Sequence, residues 1–92
     1  MTKADLINEM AVATGYDKKT IAVIAEAFME HVKSNLVEGE NVYLRGFGTF
    51  TTKTRKAKVA RNITRQTSVF VPEHKIAFFK PAKELNVAVA KL

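Results

Sequence analysis

The chain contains no cysteine. That excludes a disulfide scaffold and any thiolate zinc site. No apolar run approaches the roughly 18 residues that a membrane-spanning helix needs, and no charged segment followed by an apolar one opens the sequence. The expectation is a soluble, cytoplasmic protein with no membrane partner. Equipment for catalysis is also sparse. His31 and His74 each stand without a second histidine at metal-ligand spacing. Gly46-Phe47-Gly48 reads as a turn between strands and lacks the helix that a dinucleotide loop requires. Carboxylates concentrate in the N-terminal half, so no two-metal hydrolytic cluster suggests itself. No catalytic residue, cofactor or metal is expected. One further absence is local: between Lys53 and Arg65 there are six basic residues and no acidic one.

What is present begins with an uneven charge. Residues 1–45 hold five Lys/Arg against seven Asp/Glu, a balance of −2, and residues 46–92 hold ten against two, a balance of +8. A generally basic solubilising surface would spread charge more evenly. A near-neutral half joined to a strongly basic one suggests a folding platform that carries a polyanion-binding surface. Ninety-two residues form one small domain. Such a chain buries a modest core, and the basic segment adds little to it, so dimerisation is a natural source of further burial.

Local patterns divide residues 1–92 into a helical part (1–40), a strand part with an arm (41–75) and a closing helix (81–92). Thr2 caps a first helix with Asp5 in its first turn, Leu6, Ile7, Met10 and Ala11 recur at helical spacing, and Gly15 is a stop. Asp17 caps a longer helix whose apolar stripe runs Ile21, Ile24, Ala25, Phe28, Val32, Leu36, before Gly39. Phe28, Val32 and Leu36 read as core or dimer surface. The two helices should form a tight hairpin. The period then changes to that of strands: Asn41 to Leu44, Thr49 to about Val59, and Thr67 to Val71, with Gly46 and Gly48 bracketing a turn. Pro81 suits the first turn of a last helix with Leu85, Ala88, Val89 and Leu92 on one face. His74 falls after the last strand. The expected class is α+β in the order ααβββα, a helical hairpin and a three-stranded antiparallel sheet extended into a β-ribbon arm, closed by a C-terminal helix.

The arm is where the chemistry lies. Alternation puts Lys53 and Arg55 on one face with Thr51, Ala57 and Arg61, and Lys56 and Lys58 on the other. Like charges along a strand also discourage edge-to-edge pairing, a purely structural role that accounts for two or three lysines but not six. From Phe50 to Asn62, at about 3.3 Å per residue, the arm spans roughly 40 Å. Its cations, with Arg65, would neutralise phosphates and release counterions, positioning the protein without reading sequence. Arg61 and Asn62 suit the minor groove, whose hydrogen-bond pattern is degenerate. Ile63 is a candidate wedge between base pairs, the alternative being local packing across the hairpin tip. Two other readings compete. RNA or single-strand binding would need stacking aromatics, and Phe70, the nearest, is expected to lie toward the arm's base. A pure dimerisation module would show no salt-dependent DNA binding.

Arg45-Gly46-Phe47-Gly48-Thr49-Phe50, Arg61-Asn62, Phe79-Lys80-Pro81-Ala82-Lys83 and the opening Met1-Thr2-Lys3-Ala4-Asp5-Leu6-Ile7 together resemble the HU and integration-host-factor family of bacterial DNA-bending proteins. The resemblance covers essentially the whole chain. It implies an intertwined homodimer or heterodimer, nucleoid-associated, whose β-ribbon arms embrace double-stranded DNA through the minor groove. It also implies that Phe47, Phe50 and Phe79, with Leu44, belong to the dimer core. Lys3, Lys80 and Lys83 then match positions on the body where bent DNA would lie, and Lys75 joins the DNA-binding set. Little sequence specificity is expected; a sequence-preferring bender, or an RNA- or single-strand-binding member, are the alternatives. One departure stands out. The family usually has proline after Arg-Asn and then a glycine-containing turn, whereas this chain reads Ile63-Thr64-Arg65-Gln66. The expected bend is therefore softer, or the site preference different. Because bending costs elastic energy, bent, nicked or gapped DNA should bind better than straight duplex.

Overall fold

The computed structural model describes residues 1–62 and 67–92, the side chain of Asn62 excepted. Its described elements run α1 (Lys3–Thr14), α2 (Lys18–Val37), β1 (Val42–Leu44), β2 (Gly48–Arg55), β3 (Lys58–Asn62), β4 (Thr67–Val71), β5 (His74–Pro81) and α3 (Lys83–Val89). They fall into two compact units, Met1–Asn35 and Leu36–Leu92.

The first unit is built by its caps. Thr2 Oγ1 accepts from the Asp5 N–H at 3.2 Å while Asp5 Oδ2 accepts from the Thr2 N–H at 3.0 Å, a reciprocal box that satisfies two donors without helical partners. At the other end of α1 Gly15 adopts φ 80°, and its N–H returns to the Ala11 carbonyl at 2.9 Å. Asp17 then starts α2, its carboxylate accepting from the N–H and the hydroxyl of Thr20, both at 2.9 Å. An ion pair between Lys3 and Glu26 joins the two helices of the hairpin.

In the second unit β1, β2 and β5 form an antiparallel sheet in the order β1-β2-β5, and β3 and β4 form a two-stranded ribbon. Leu44 to Phe47 make the β1–β2 turn, closed by the Phe47 N–H on the Leu44 carbonyl at 2.9 Å. Gly46 takes φ 82° within it, the sign that a type II turn demands. Phe50 pairs with Val42 on one side and Phe79 on the other.

Three expectations about the strands need correction. His74 does not follow the last strand; it opens β5, which pairs along the whole of β2 from Gly48↔Pro81 to Arg55↔His74. The order is therefore ααβββββα. Ile76, Phe78 and Phe79 are strand formers, but the two prolines at either end of the segment masked it. Pro81 accordingly ends a strand instead of beginning a helix. Ala82 is the extended N-cap of α3, its N–H donating to the Phe47 carbonyl at 2.9 Å. The helix ends at Val89, which leaves Leu92 outside it and fully exposed. Finally, the strand expected from Thr49 to Val59 is interrupted at Lys56-Ala57. The register resumes without slippage, Arg55↔His74 below and Lys58↔Val71 above, so two residues face two across the gap and no bulge is inserted. Pro72 stands opposite Ala57 in that register, and having no N–H it cannot donate to the ladder there.

Candidate nucleic-acid interface

The β3–β4 ribbon and the outer half of β2 form the basic surface. Lys53 and Arg55 lie at the outer end of β2, Lys56 in the gap, and Lys58 and Arg61 on β3, all exposed. Asn62 ends β3 opposite Thr67. Ile63 and Arg65, the expected wedge and tip cation, lie outside the described residues. Lys53 and Arg55 share a face of β2 with Thr51, as expected. Lys56 and Ala57 belong to no strand, so beyond Arg55 the alternation is defined again only from Lys58, with the pairing register unshifted. No acidic residue occurs between Thr49 and Pro72. The ribbon therefore meets a polyanion without like-charge repulsion.

The remaining cations are distributed over the body. Lys75 and Lys80 are exposed on β5, and Lys83 opens α3. Lys80 is adjacent in register to Thr49 and Lys75 to Thr54. Lys3 is exposed but paired with Glu26, so engaging a phosphate requires exchange of partners. The Lys53 ammonium lies 4.8 Å from the centre of the Phe78 ring, which steadies a long side chain by cation–π attraction.

The apolar residues assigned to a dimer surface are partly open. Phe79 is the hub of an aromatic group, 5.2 Å from Phe47 and 5.0 Å from Phe50 between ring centres, tilted by 48° and 47°. Leu44, Phe50 and Phe79 are half-buried, as are Val32 and Leu36, while Phe28 and Phe47 are exposed. Among the described residues only Ile21 and Gly48 are buried.

Sequence reasoning misjudged the exposure of the aromatics. Phe70 does lie toward the ribbon's base, opposite Val59 and one pair above Lys58↔Val71, but it is exposed there, the two residues being 66% and 67% accessible. Tyr43 and Phe78 were not singled out, yet both are exposed on the β1–β2–β5 sheet. Alternation with Val42 and Leu44 is the signal that would have placed Tyr43 on the outer face. The carboxyls of Asp5 and Asp17 are held below the usual carboxylate range. The backbone N–H of Thr2 and of Thr20, respectively, are the main cause, the side chains of the same residues adding to it. Both are structural caps in the helical unit. Among the described residues no group of three or more His, Asp or Glu is placed to hold a metal ion, and no helix is long and apolar enough to cross a membrane.

Comparison with known proteins agrees with this geometry. The family described as "Bacterial DNA-binding protein" matches residues 1–90. DNA-binding protein HU of Thermus thermophilus is 36% identical over 91 residues, covering 99% of this chain and 94% of that protein. Integration host factor subunit alpha of Actinobacillus pleuropneumoniae is 33% identical over 86 residues, covering 94% and 88%. Among solved structures, an Anabaena HU–DNA cocrystal structure superposes with a TM-score of 0.92 at 27% identity, covering 100% of both chains. HU from Thermotoga maritima gives 0.69 at 27% identity, covering 97% and 98%. A cation-only ribbon raised on a three-stranded sheet, matched from end to end in sequence and in fold, makes this chain a member of the bacterial DNA-binding protein family that includes HU and integration host factor.

Proposed function

We propose that this protein is an architectural DNA-binding protein of the bacterial nucleoid, cytoplasmic and not an enzyme, which grips duplex DNA through the minor groove and bends it with little sequence specificity. The observation that carries the reading is the ribbon itself, an extended two-stranded element whose charged side chains are all cationic and exposed. Such an element contributes little to a core and is suited to a polyanion. The Anabaena relative's structure with DNA supports it.

Two copies, identical or with a related chain, supply a pair of arms. Lys53, Arg55, Lys56, Lys58 and Arg65 neutralise phosphates, Arg61 and Asn62 enter the groove, and Ile63 is the wedge that unstacks a base step. Bending a site costs about 1–6 kcal/mol, offset by contacts of the flanking DNA with Lys3, Lys75, Lys80 and Lys83 on the body. DNA that is already bent, nicked or gapped avoids part of that cost and binds more tightly.

Fluorescence transfer between labelled duplex ends tests the mechanism. Wild type draws the ends together, and Ile63→Ala binds with a smaller bend. An unaltered bend in that variant defeats the wedge role. Equal affinity for straight and nicked duplex defeats bending altogether.

A further inference from the structure

The outer face of the β1–β2–β5 sheet carries a group of side chains that the ribbon's chemistry does not use. Alternation places Tyr43, Thr49 and Thr51 on the face opposite Phe50 and Phe79. Tyr43 is 74% exposed, yet its hydroxyl is tied down. Asn41 Nδ2 donates to Tyr43 Oη at 3.3 Å, and Asn41 is itself held by the Thr51 hydroxyl, which donates to Oδ1 at 2.8 Å. A large ring is thus anchored through its polar end while its flat face meets solvent. Beside it opens a cleft of about 570 Å³ bounded also by Thr49, Arg45 and Lys80. No carboxylate lines it among the described residues.

An anchored aromatic face, two cations and a row of hydroxyls match one ligand chemistry closely: a nucleotide whose base is not engaged in a helix. Aromatic faces bind unpaired bases by stacking whatever the base, and the neighbouring cations take the phosphate. Bases within intact duplex are already stacked on one another and cannot use the ring. We infer that this sheet face is a stacking site for a single unpaired DNA base, with Tyr43 as the platform and Arg45 and Lys80 as the phosphate contacts. The inference rests on the duplex-binding reading above and deepens it. Preference for interrupted DNA would then have two separable sources. One is the lower cost of bending, which depends on flexibility alone; the other is the base itself, which depends on Tyr43.

Substituting an abasic residue for the unpaired nucleotide separates the two, because it keeps the interruption and removes the base. The full-length protein is titrated against three labelled DNAs: intact duplex, the same duplex with one unpaired adenine, and the same with an abasic residue at that place. The expected result is about fivefold tighter binding of the adenine bulge than of the abasic one. That ratio falls to about one in Tyr43→Leu and is retained in Tyr43→Phe, which keeps the ring. A bulged 2-aminopurine gives an independent readout, its fluorescence quenched on binding the wild type by stacking on Tyr43. Should Tyr43→Leu not fold, the wild-type ratio and the quenching decide. Equal wild-type affinity for the adenine and abasic bulges, with intact duplex still bound, overturns this inference alone. A ratio unchanged in a folded Tyr43→Leu, or an unquenched probe, also overturns it. Failure to bind any of the three DNAs defeats the duplex-binding reading, and the stacking site with it.

Discussion

Gly48 is a residue at which one added methyl decides whether the sheet closes. A Cβ there would stand 2.5 Å from Cζ of Phe79 and 2.7 Å from the carbonyl oxygen of Lys80. The ring can swing aside, but the carbonyl belongs to β5 and cannot move without breaking register. Gly48→Ala is therefore expected to cost about 1–3 kcal/mol, read as an earlier midpoint in urea unfolding. Lys3 presents the opposite case, a charge whose present partner is easily given up. Both members of its pair with Glu26 are more than half exposed, at 59% and 51%, so the pair is worth at most about 1 kcal/mol. In Glu26→Gln the ammonium is released to phosphate. DNA affinity should rise at low salt, and the slope of log affinity against log salt should steepen by about one for each protomer, as measured by titration. At this scale the caps were legible in the sequence, because Thr2, Gly15 and Asp17 act on N–H and C=O groups within four residues of themselves. The exposure of Phe70 was not, since it depends on what lies beside the ribbon, whereas that of Tyr43 was signalled by its alternation with Val42 and Leu44.

The elements divide in the same way between local and distant causes. Asp5 in the first turn of α1 and Asp17 at the start of α2 each have a carboxyl held below its ordinary value by N–H donors, so the charged form is favoured in the folded state. The stability this provides is complete above the ordinary carboxylate value of 3.8 and is lost as pH falls through the lowered folded values. Acid titration followed by far-UV circular dichroism should show helix loss beginning below about pH 4. Asp5→Asn and Asp17→Asn should flatten that transition, since neither amide titrates. Strand β5 shows the reverse dependence. Nothing within His74–Pro81 demands a strand; its eight consecutive pairings with β2 do. The gap at Lys56-Ala57 likewise has its cause across the ribbon, in Pro72. A discontinuity without a bulge keeps the pairing register while interrupting the ladder.

At the scale of the whole molecule, burial is the deciding quantity. With Ile21 and Gly48 the only buried residues among those described, and with Leu6, Val23, Ile24 and Phe47 each 47% or more exposed, one chain does not enclose a core of its own. A second copy, or a related chain, provides the missing surface. Thermal unfolding should therefore depend on protein concentration, the midpoint rising with each tenfold increase, and sedimentation should give a dimer. A midpoint independent of concentration together with a monomer mass would contradict the assembly. By itself the sequence determined the two N-terminal helices and their caps, the cation-only arm and the family, because these rest on local periodicity, on residues adjacent in the chain and on net charge. Only the tertiary structure decided that His74–Pro81 is a strand, that the arm is broken opposite Pro72, and that Tyr43 stands anchored on an open sheet face. Each of those depends on the register between paired strands, which the periodicity of any one strand does not contain.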